Sequence, residues 1–208
     1  MLVMKVHPET PQKRVIKRAV SILEQGGIVA FPTDTSYALG CDLHNKRAIE
    51  KMYRIKKMDR KKPLSFLCSD FKELSQYAYV HNTAYRIMKR MFPGPFTFVL
   101  QATNLVPRFV TTKQKTVGIR IPDHPVCQEL VLELQHPIIT TSVELFSGNP
   151  INDPEEIEAN LKNQIGMILD GGPSIAELST VVDFTLEVPK VLREGKGDLS
   201  LFEHFVNA

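Results

Sequence analysis

The chain has 208 residues, of which 43% are hydrophobic and 24% are charged, and its formal net charge at pH 7 is +3. This composition excludes an intrinsically disordered or fibrous protein and fits one globular domain over residues 1–208. Because the net charge is small, any attraction for anions must come from local clusters of Lys and Arg.

The cysteines and the length of the apolar runs indicate the cellular location that we expect for the protein. Cys41, Cys68 and Cys127 are odd in number and widely spaced, which indicates buried thiols rather than disulfides or a zinc site. The sequence has no apolar run of about 18 residues, the length that a membrane-spanning helix needs. We therefore expect a soluble, cytoplasmic protein without a membrane partner and without a bound metal of its own.

Helical and extended patterns alternate along the first third of the chain. Thr10 and Pro11 are typical of a helix N-cap and a first helical position. The run 28–31 predicts a buried strand that leads into a polar loop, residues 33–37. Asn45 predicts the N-cap of the next helix. Loops at strand ends are common ligand sites in α/β proteins, so the polar loop is a candidate for binding.

The remaining elements continue the mixture of helices and strands. Asp70 with Glu73 has the pattern of a capping box, and Asp153 followed by Pro154 predicts another helix start. We predict helices over 70–77, 83–92, 126–134 and 153–163, and strands over 64–68, 96–102, 116–121, 138–142, 167–170, 180–184 and 188–192. No repeat or linker interrupts them, so the predicted fold class is a single α/β domain with a mixed sheet.

Two segments carry side chains suited to chemistry. The segment 54–62 is the densest basic stretch, and several cations in an irregular stretch suit phosphate, although a solubilising surface patch has the same composition. In the polar loop, Thr33, Asp34, Thr35 and Tyr37 offer hydroxyls and a carboxylate that could orient a polar substrate or a hydrated metal ion, or form an Asx turn. No Walker motif, Gly-x-Gly-x-x-Gly or Gly-x-Ser-x-Gly is present, so common nucleotide-loop and hydrolase patterns are not indicated.

Longer motifs connect these segments. Residues 26–40 (GGIVAFPTDTSYALG), Ile55-Lys56 and Lys62-Pro63-Leu64 together resemble the opening signature of the YrdC/YciO-like threonylcarbamoyl-AMP synthase family. Further matches cover nearly the whole chain and lie at 93–97, 116–122, 141–142, 179–183 and 192–195. The resemblance implies a single-domain YrdC/RibB-like fold, in which helices flank a twisted mixed sheet with a concave basic groove.

The resemblance also implies an activity and a set of site residues. The reaction joins ATP, L-threonine and bicarbonate into threonylcarbamoyl-AMP and pyrophosphate, for the threonylcarbamoyladenosine modification of tRNA, with ATP as a substrate accompanied by Mg²⁺. By motif position, the residues expected at the nucleotide are Lys56, Lys62, Thr116, Ser142 and Arg193, and those expected at threonine or its carbamate are Thr35, Arg120, Thr140 and Ser179. No residue is expected to act as a protein nucleophile, because the reaction needs positioning and charge stabilisation.

The sequence departs from the synthase pattern at two places near the expected ATP site. Met58 stands where the pattern has an arginine, and Glu144 stands where it has an asparagine; both features are closer to the YciO branch. Removing a cation and adding an anion opposes triphosphate binding. Two alternatives therefore stay open: a module that binds double-stranded RNA, tRNA or the ribosome without synthase activity, and a nucleotide sensor without turnover.

Overall fold

The structure is a computed structural model that describes residues 1–59, 63–111, 113–144, 149–186, 188–200 and 202. This part of the chain forms six helices and eleven strands. The helices are α1 (Lys13–Glu24), α2 (Lys46–Ile55), α3 (Phe71–Tyr77), α4 (Asn82–Met91), α5 (Pro125–Leu134) and α6 (Pro154–Leu161). The strands are β1 (Leu2–Lys5), β2 (Val29–Phe31), β3 (Ala38–Asp42), β4 (Ser65–Leu67), β5 (Ala78–Tyr79), β6 (Phe96–Ala102), β7 (Thr116–Arg120), β8 (Ile138–Ser142), β9 (Met167–Asp170), β10 (Thr180–Asp183) and β11 (Lys190–Arg193).

All eleven strands join one open, mixed sheet. Its order is β1-β9-β2-β3-β8-β4-β7-β6-β10-β11, and β5 pairs with β6 outside this path. The β1/β9, β2/β9, β4/β7 and β6/β10 pairs are parallel and the other pairs are antiparallel. The single-domain α/β fold with a mixed sheet and flanking helices agrees with the prediction from the sequence.

Both faces of the sheet are buried at β2, as its apolar run predicts. Val29 and Phe31 pack in a smaller core that includes apolar residues of α1 and α5, whereas Ile28 and Ala30 pack in a larger core on the opposite face. This split follows from the alternation of side chains along a strand. Because α1 and α5 belong to the smaller core, they cover part of one face and leave the rest of that face accessible.

Side-chain caps start the helices where the sequence predicts them, except that the capping box has a different partner and α1 starts later. Asn45 accepts a hydrogen bond from the Ala48 N–H at 3.0 Å, and Asp70 accepts one from the Glu73 N–H at 2.7 Å. In the predicted capping box, however, Glu73 accepts from the N–H of Ser69, one residue before the cap. At α6, Asp153 accepts from the Glu155 N–H at 2.9 Å.

The start of α1 was predicted two residues too early. The helix begins at Lys13 after Gln12, not at Pro11 with Thr10 as its cap. Thr10 instead hydrogen-bonds His7 Nδ1 through its N–H at 3.1 Å, in a turn that precedes the helix. Thr10 Oγ1 also lies 3.1 Å from His7 Nδ1, so this hydroxyl stabilises the turn rather than the helix end.

Three strands were not predicted, and most other bounds differ by one to three residues. The missed strands are β1, β3 and β5. The strand predicted over 188–192 is observed as Lys190–Arg193, and α6 ends at Leu161 rather than near residue 163. The sequence also predicts a tight turn near Glu187, between the last two strands, and Glu187 lies outside the described residues.

The three cysteines are free and fully buried, in agreement with the prediction. Burial raises the pKa of each thiol above its ordinary value, which favours the unreactive thiol form. Within the described part of the chain, no helix is both long enough and apolar enough to cross a membrane.

Candidate functional site

A groove of about 340 Å³ lies on the accessible part of the sheet face beside the smaller core. Its floor consists of alternate residues of six adjacent strands: Ala38, Ser65, Leu67, Thr97, Val99, Gly118, Arg120, Thr140, Ser142 and Val181. Most of these side chains are small or polar, so they do not fill the space above the sheet. A Cβ at Gly118 would lie 3.3 Å from Ser65 Oγ and 3.5 Å from Thr97 Cγ2, which shows how little room the floor has for a larger residue.

Seven of the nine residues predicted to bind substrates line this groove. They come from the polar loop, the residue after α2, three strands and the segment before β10: Thr35, Lys56, Arg120, Thr140, Ser142, Ser179 and Arg193. Thr140 Oγ1 donates to the carbonyl of Ser65 at 3.3 Å, and Ser142 lies two residues further along the same face of β8. The fold therefore brings together side chains that are up to 158 residues apart, counting from Thr35 to Arg193 (193 − 35).

The other two predicted residues, Lys62 and Thr116, are not among the described residues that line the groove. Lys62 lies outside the described residues, as does Arg60. Thr116 is on the same face of β7 as Arg120, as the alternation predicts, but it is not among the described residues that line the groove.

Arg120 forms the centre of a hydrogen-bonded cluster with the polar loop. Its Nη2 donates to Asp34 Oδ1, to Thr35 Oγ1 and, at 3.3 Å, to Thr33 Oγ1. The side chains of Arg120 and Asp34 are 12% and 8% exposed, so this is a buried ion pair. The Nε of Arg120 is buried and has no hydrogen-bond partner among the described residues.

The polar loop is also held by contacts outside the groove. Asp34 Oδ2 accepts from the Asp123 N–H at 3.1 Å, so Asp34 bridges β7 and the turn that follows rather than closing an Asx turn of its own. Tyr37 OH donates to the Gly172 carbonyl at 2.8 Å, and Lys196 Nζ donates to the Asp34 carbonyl at 2.6 Å. Asp34 and Tyr37 are polar candidates in the sequence, but no sequence pattern predicts Lys196 or these pairings.

Ser179 and Arg193 form a second cluster at the β10 side of the groove. Arg193 donates to the Ser179 carbonyl at 3.1 Å and to Ser179 Oγ at 3.2 Å, and Ser179 Oγ lies 2.8 Å from Thr97 Oγ1. Burial lowers the pKa of Arg193, the negative charge of Glu144 raises it, and the positive charge of Arg120 lowers it. Thr97, which the sequence placed only within a motif, thus shares its hydroxyl with a predicted substrate residue.

Lys56, Ser142 and Glu144 form a third cluster. Lys56 Nζ donates to the Ser142 carbonyl at 2.9 Å and lies 3.3 Å from Glu144 Oε2, while Ser142 Oγ donates to Glu144 Oε1. The Lys56 side chain is 10% exposed and points into the groove, which does not fit the alternative of a solubilising surface patch for this residue. Met58 also lines the groove and packs against the larger core.

The charged side chains that line the groove give it a net positive charge. Among the described lining residues three are cationic (Lys56, Arg120 and Arg193) and one is anionic (Glu144), a net charge of +2 (3 − 1) that agrees with a basic groove. No group of three or more His, Cys, Asp and Glu side chains within the described ranges has the geometry to hold a metal ion.

Comparison with known proteins identifies the family. The family model for Sua5, YciO and YrdC, described as "Telomere recombination", matches residues 21–195. The chain belongs to the Sua5/YciO/YrdC family. This confirms the resemblance that the motifs indicate.

Relatives within the Sua5/YciO/YrdC family include both YciO and synthase proteins. The uncharacterized protein YciO of Escherichia coli is 41% identical over 200 residues, 95% of this chain and 97% of the relative. Its crystal structure has a TM-score of 0.94 at 40% identity and covers 97% of this chain and 100% of that chain. A threonylcarbamoyl-AMP synthase of Vibrio vulnificus is 34% identical over 159 residues, 75% of this chain and 86% of the relative.

A ligand-bound structure also matches the whole described fold. The crystal structure of P. abyssi Sua5 complexed with L-threonine has a TM-score of 0.92 at 29% identity and covers 99% of this chain and 61% of that chain. Together with the Vibrio vulnificus relative, it supports an enzyme of the nucleotidyltransferase type within the Sua5/YciO/YrdC family.

Proposed function

We propose that the chain is a threonylcarbamoyl-AMP synthase that uses ATP, L-threonine and bicarbonate. The observation that carries this proposal is the convergence of seven residues, chosen from sequence motifs alone, on one groove. Relatives named threonylcarbamoyl-AMP synthase, and the Sua5 structure with L-threonine, support the same substrates. The product would serve the threonylcarbamoyladenosine modification of tRNA.

The proposed reaction has two balanced steps. The threonine amine and bicarbonate form a carbamate and release water. A carbamate oxygen then attacks the α-phosphorus of ATP, a new P–O bond forms, and the bond to the β-phosphate breaks to release pyrophosphate. Such a reaction depends on aligned reactants and on stabilised phosphate charge, not on a nucleophilic side chain.

The residues of the three clusters in the groove meet these requirements. Arg120, a guanidinium that lines the groove, is suited to the threonine carboxylate, and the hydroxyls of Thr35, Thr140 and Ser179 are suited to the amino acid or its carbamate. The cations Lys56 and Arg193 and the Ser142 hydroxyl are suited to phosphate. Mg²⁺ arriving with ATP would neutralise phosphate charge, and it would be held mainly by the phosphates and by water.

The first test is detection of the product by mass spectrometry. Purified protein is incubated with ATP, Mg²⁺, L-threonine and bicarbonate, and threonylcarbamoyl-AMP and pyrophosphate are measured. We expect Arg193→Ala to lower the rate by at least about 10-fold, because a charged hydrogen-bond donor to phosphate is lost. Arg18→Ala is the matched control, since Arg18 is an exposed cation of α1. Folded wild-type protein that makes no product would reject the synthase proposal.

A further inference from the structure

A carboxylate of the protein occupies donors that face the groove. Glu144 Oε1 accepts from Ser142 Oγ, and Glu144 Oε2 lies 3.3 Å from Lys56 Nζ. Lys56 also donates to the Ser142 carbonyl at 2.9 Å. An ammonium group, a hydroxyl and a carboxylate therefore satisfy one another, in a site whose lysine side chain is only 10% exposed.

The negative charge of Glu144 reaches a second cation. Arg193 is on the other side of the groove, on β11, and the electrostatic influence of Glu144 on it opposes the effect of burial. Glu144 is thus the one carboxylate among the described lining residues, and it acts on both Lys56 and Arg193. Its own side chain is 26% exposed, so it has solvent to move into.

We propose that Glu144 is a specificity-determining residue that weakens the preference of the groove for nucleotides of high phosphate charge. Its carboxylate acts as an internal anion, so it lowers the affinity of the site for ATP more than the affinity for a nucleotide with a single phosphate group, such as AMP or an acyl adenylate. This inference rests on the proposed function. It adds how the phosphate charge of a nucleotide affects the affinity of the proposed nucleotide site.

The physical reason is competition for the same donors. A phosphate that binds Lys56 and Ser142 must displace Glu144, and the displaced carboxylate remains close to the bound nucleotide because it is attached to the same strand end. Repulsion between this carboxylate and the ligand rises with each added phosphate, and it is stronger in a partly buried groove than in bulk water. Glu144 therefore reduces the additional attraction that a triphosphate gains from the groove cations.

The test compares the binding of ATP and AMP to matched variants. Glu144→Gln has nearly the same shape and can still accept from Ser142, but it has no charge. Glu133→Gln is the control, because Glu133 is an exposed glutamate on α5 outside the groove. Dissociation constants for ATP and AMP are measured by isothermal titration calorimetry with Mg²⁺ at fixed ionic strength, and thermal unfolding shows that each variant is folded.

We expect Glu144→Gln to tighten ATP binding by about 10-fold and AMP binding by less than about 3-fold, because ATP carries more of the repelled charge. Glu133→Gln should leave both constants at their wild-type values. The inference is overturned if the ratio of ATP to AMP affinity is the same in both variants, or if no variant binds either nucleotide. Nucleotide selectivity without product formation would leave this inference standing while the synthase proposal fails.

Discussion

Asp34 balances the charge of Arg120 inside the protein. The two side chains are largely buried, and Asp34 also accepts a hydrogen bond from the Asp123 N–H. Asp34→Ala should lower the free energy of unfolding by about 3–5 kcal/mol, because it leaves an uncompensated buried guanidinium. Urea denaturation measures this change, and Glu133→Ala, at an exposed position, should change it by less than about 0.5 kcal/mol. A loss of less than about 1 kcal/mol at Asp34 would show that Arg120 finds another partner.

The candidate site illustrates what single residues of a sequence can and cannot reveal. Motif position was sufficient to select seven residues that line one groove. The pairing of Arg120 with Asp34, and of Lys56 with Glu144, was not predicted, because each pair joins residues 86 or 88 positions apart (120 − 34 and 144 − 56). Such pairings depend on strand order and on side-chain direction, which no local pattern contains.

His124 connects the stability of α5 to pH. His124 Nδ1 accepts a hydrogen bond from the Val126 N–H at 3.2 Å and so caps the helix. Burial lowers the pKa of His124, the charges of Asp34, Glu9 and Asp123 raise it, and that of Arg120 lowers it; the net shift is downward. The unfolded chain binds this proton more readily than the folded chain does. Neutral His124 therefore makes its full contribution to stability above the unfolded pKa, about 6.5, and that contribution is lost as the pH falls through the folded pKa.

The downward shift of the His124 pKa predicts a measurable difference between the wild-type protein and a variant without this histidine. His124→Asn retains a good helix cap but removes the titrating group. From pH 7 to about pH 5, the free energy of unfolding of the wild-type protein should fall more steeply than that of the variant. Urea denaturation at a series of pH values measures both curves. Parallel curves would mean that protonation of His124 does not oppose the cap.

Helices with polar caps were predicted more reliably than strands, and β3 shows why. Its sequence, ALGCD, contains Gly40, which in isolation weakens a strand pattern. A Cβ at Gly40 would lie 2.6 Å from Phe31 Cε1 and 2.8 Å from Ile138 Cγ2, so the glycine is required by packing against β2 and β8. Similarly, among the described strands β1 pairs with β9 alone, 165 residues later at Leu2 and Met167 (167 − 2), and its short pattern is weak without that partner.

The order of the strands follows from the whole chain rather than from any segment. Alternating helices and strands predict a mixed α/β sheet, and this was correct. The central order β3-β8-β4-β7-β6-β10 joins strands from both halves of the sequence, and the groove exists only because these strands are neighbours. A local pattern can predict that Thr140 and Ser142 share a face, but not that β4 and β3 lie on either side of them.

Since the proposed threonine site spans several strands, L-threonine should stabilise the molecule as one unit. Thr35, Arg120, Thr140 and Ser179 belong to separate segments that the sheet brings together. At a free ligand concentration of 100 times Kd, binding adds about 2.7 kcal/mol. For a domain of this size, that corresponds to a rise in Tm of roughly 5 to 11 °C.

The ligand-induced shift in Tm, followed by circular dichroism, separates binding from baseline stability. Ser179→Ala removes a hydroxyl that faces Thr97 and Arg193, so we expect a smaller shift than in wild type at the same L-threonine concentration. Ser75→Ala is the matched control, because Ser75 is exposed on α3 and should leave the shift unchanged. If both variants shift as wild type does, Ser179 does not contact the amino acid, and if wild type does not shift, the groove does not bind L-threonine.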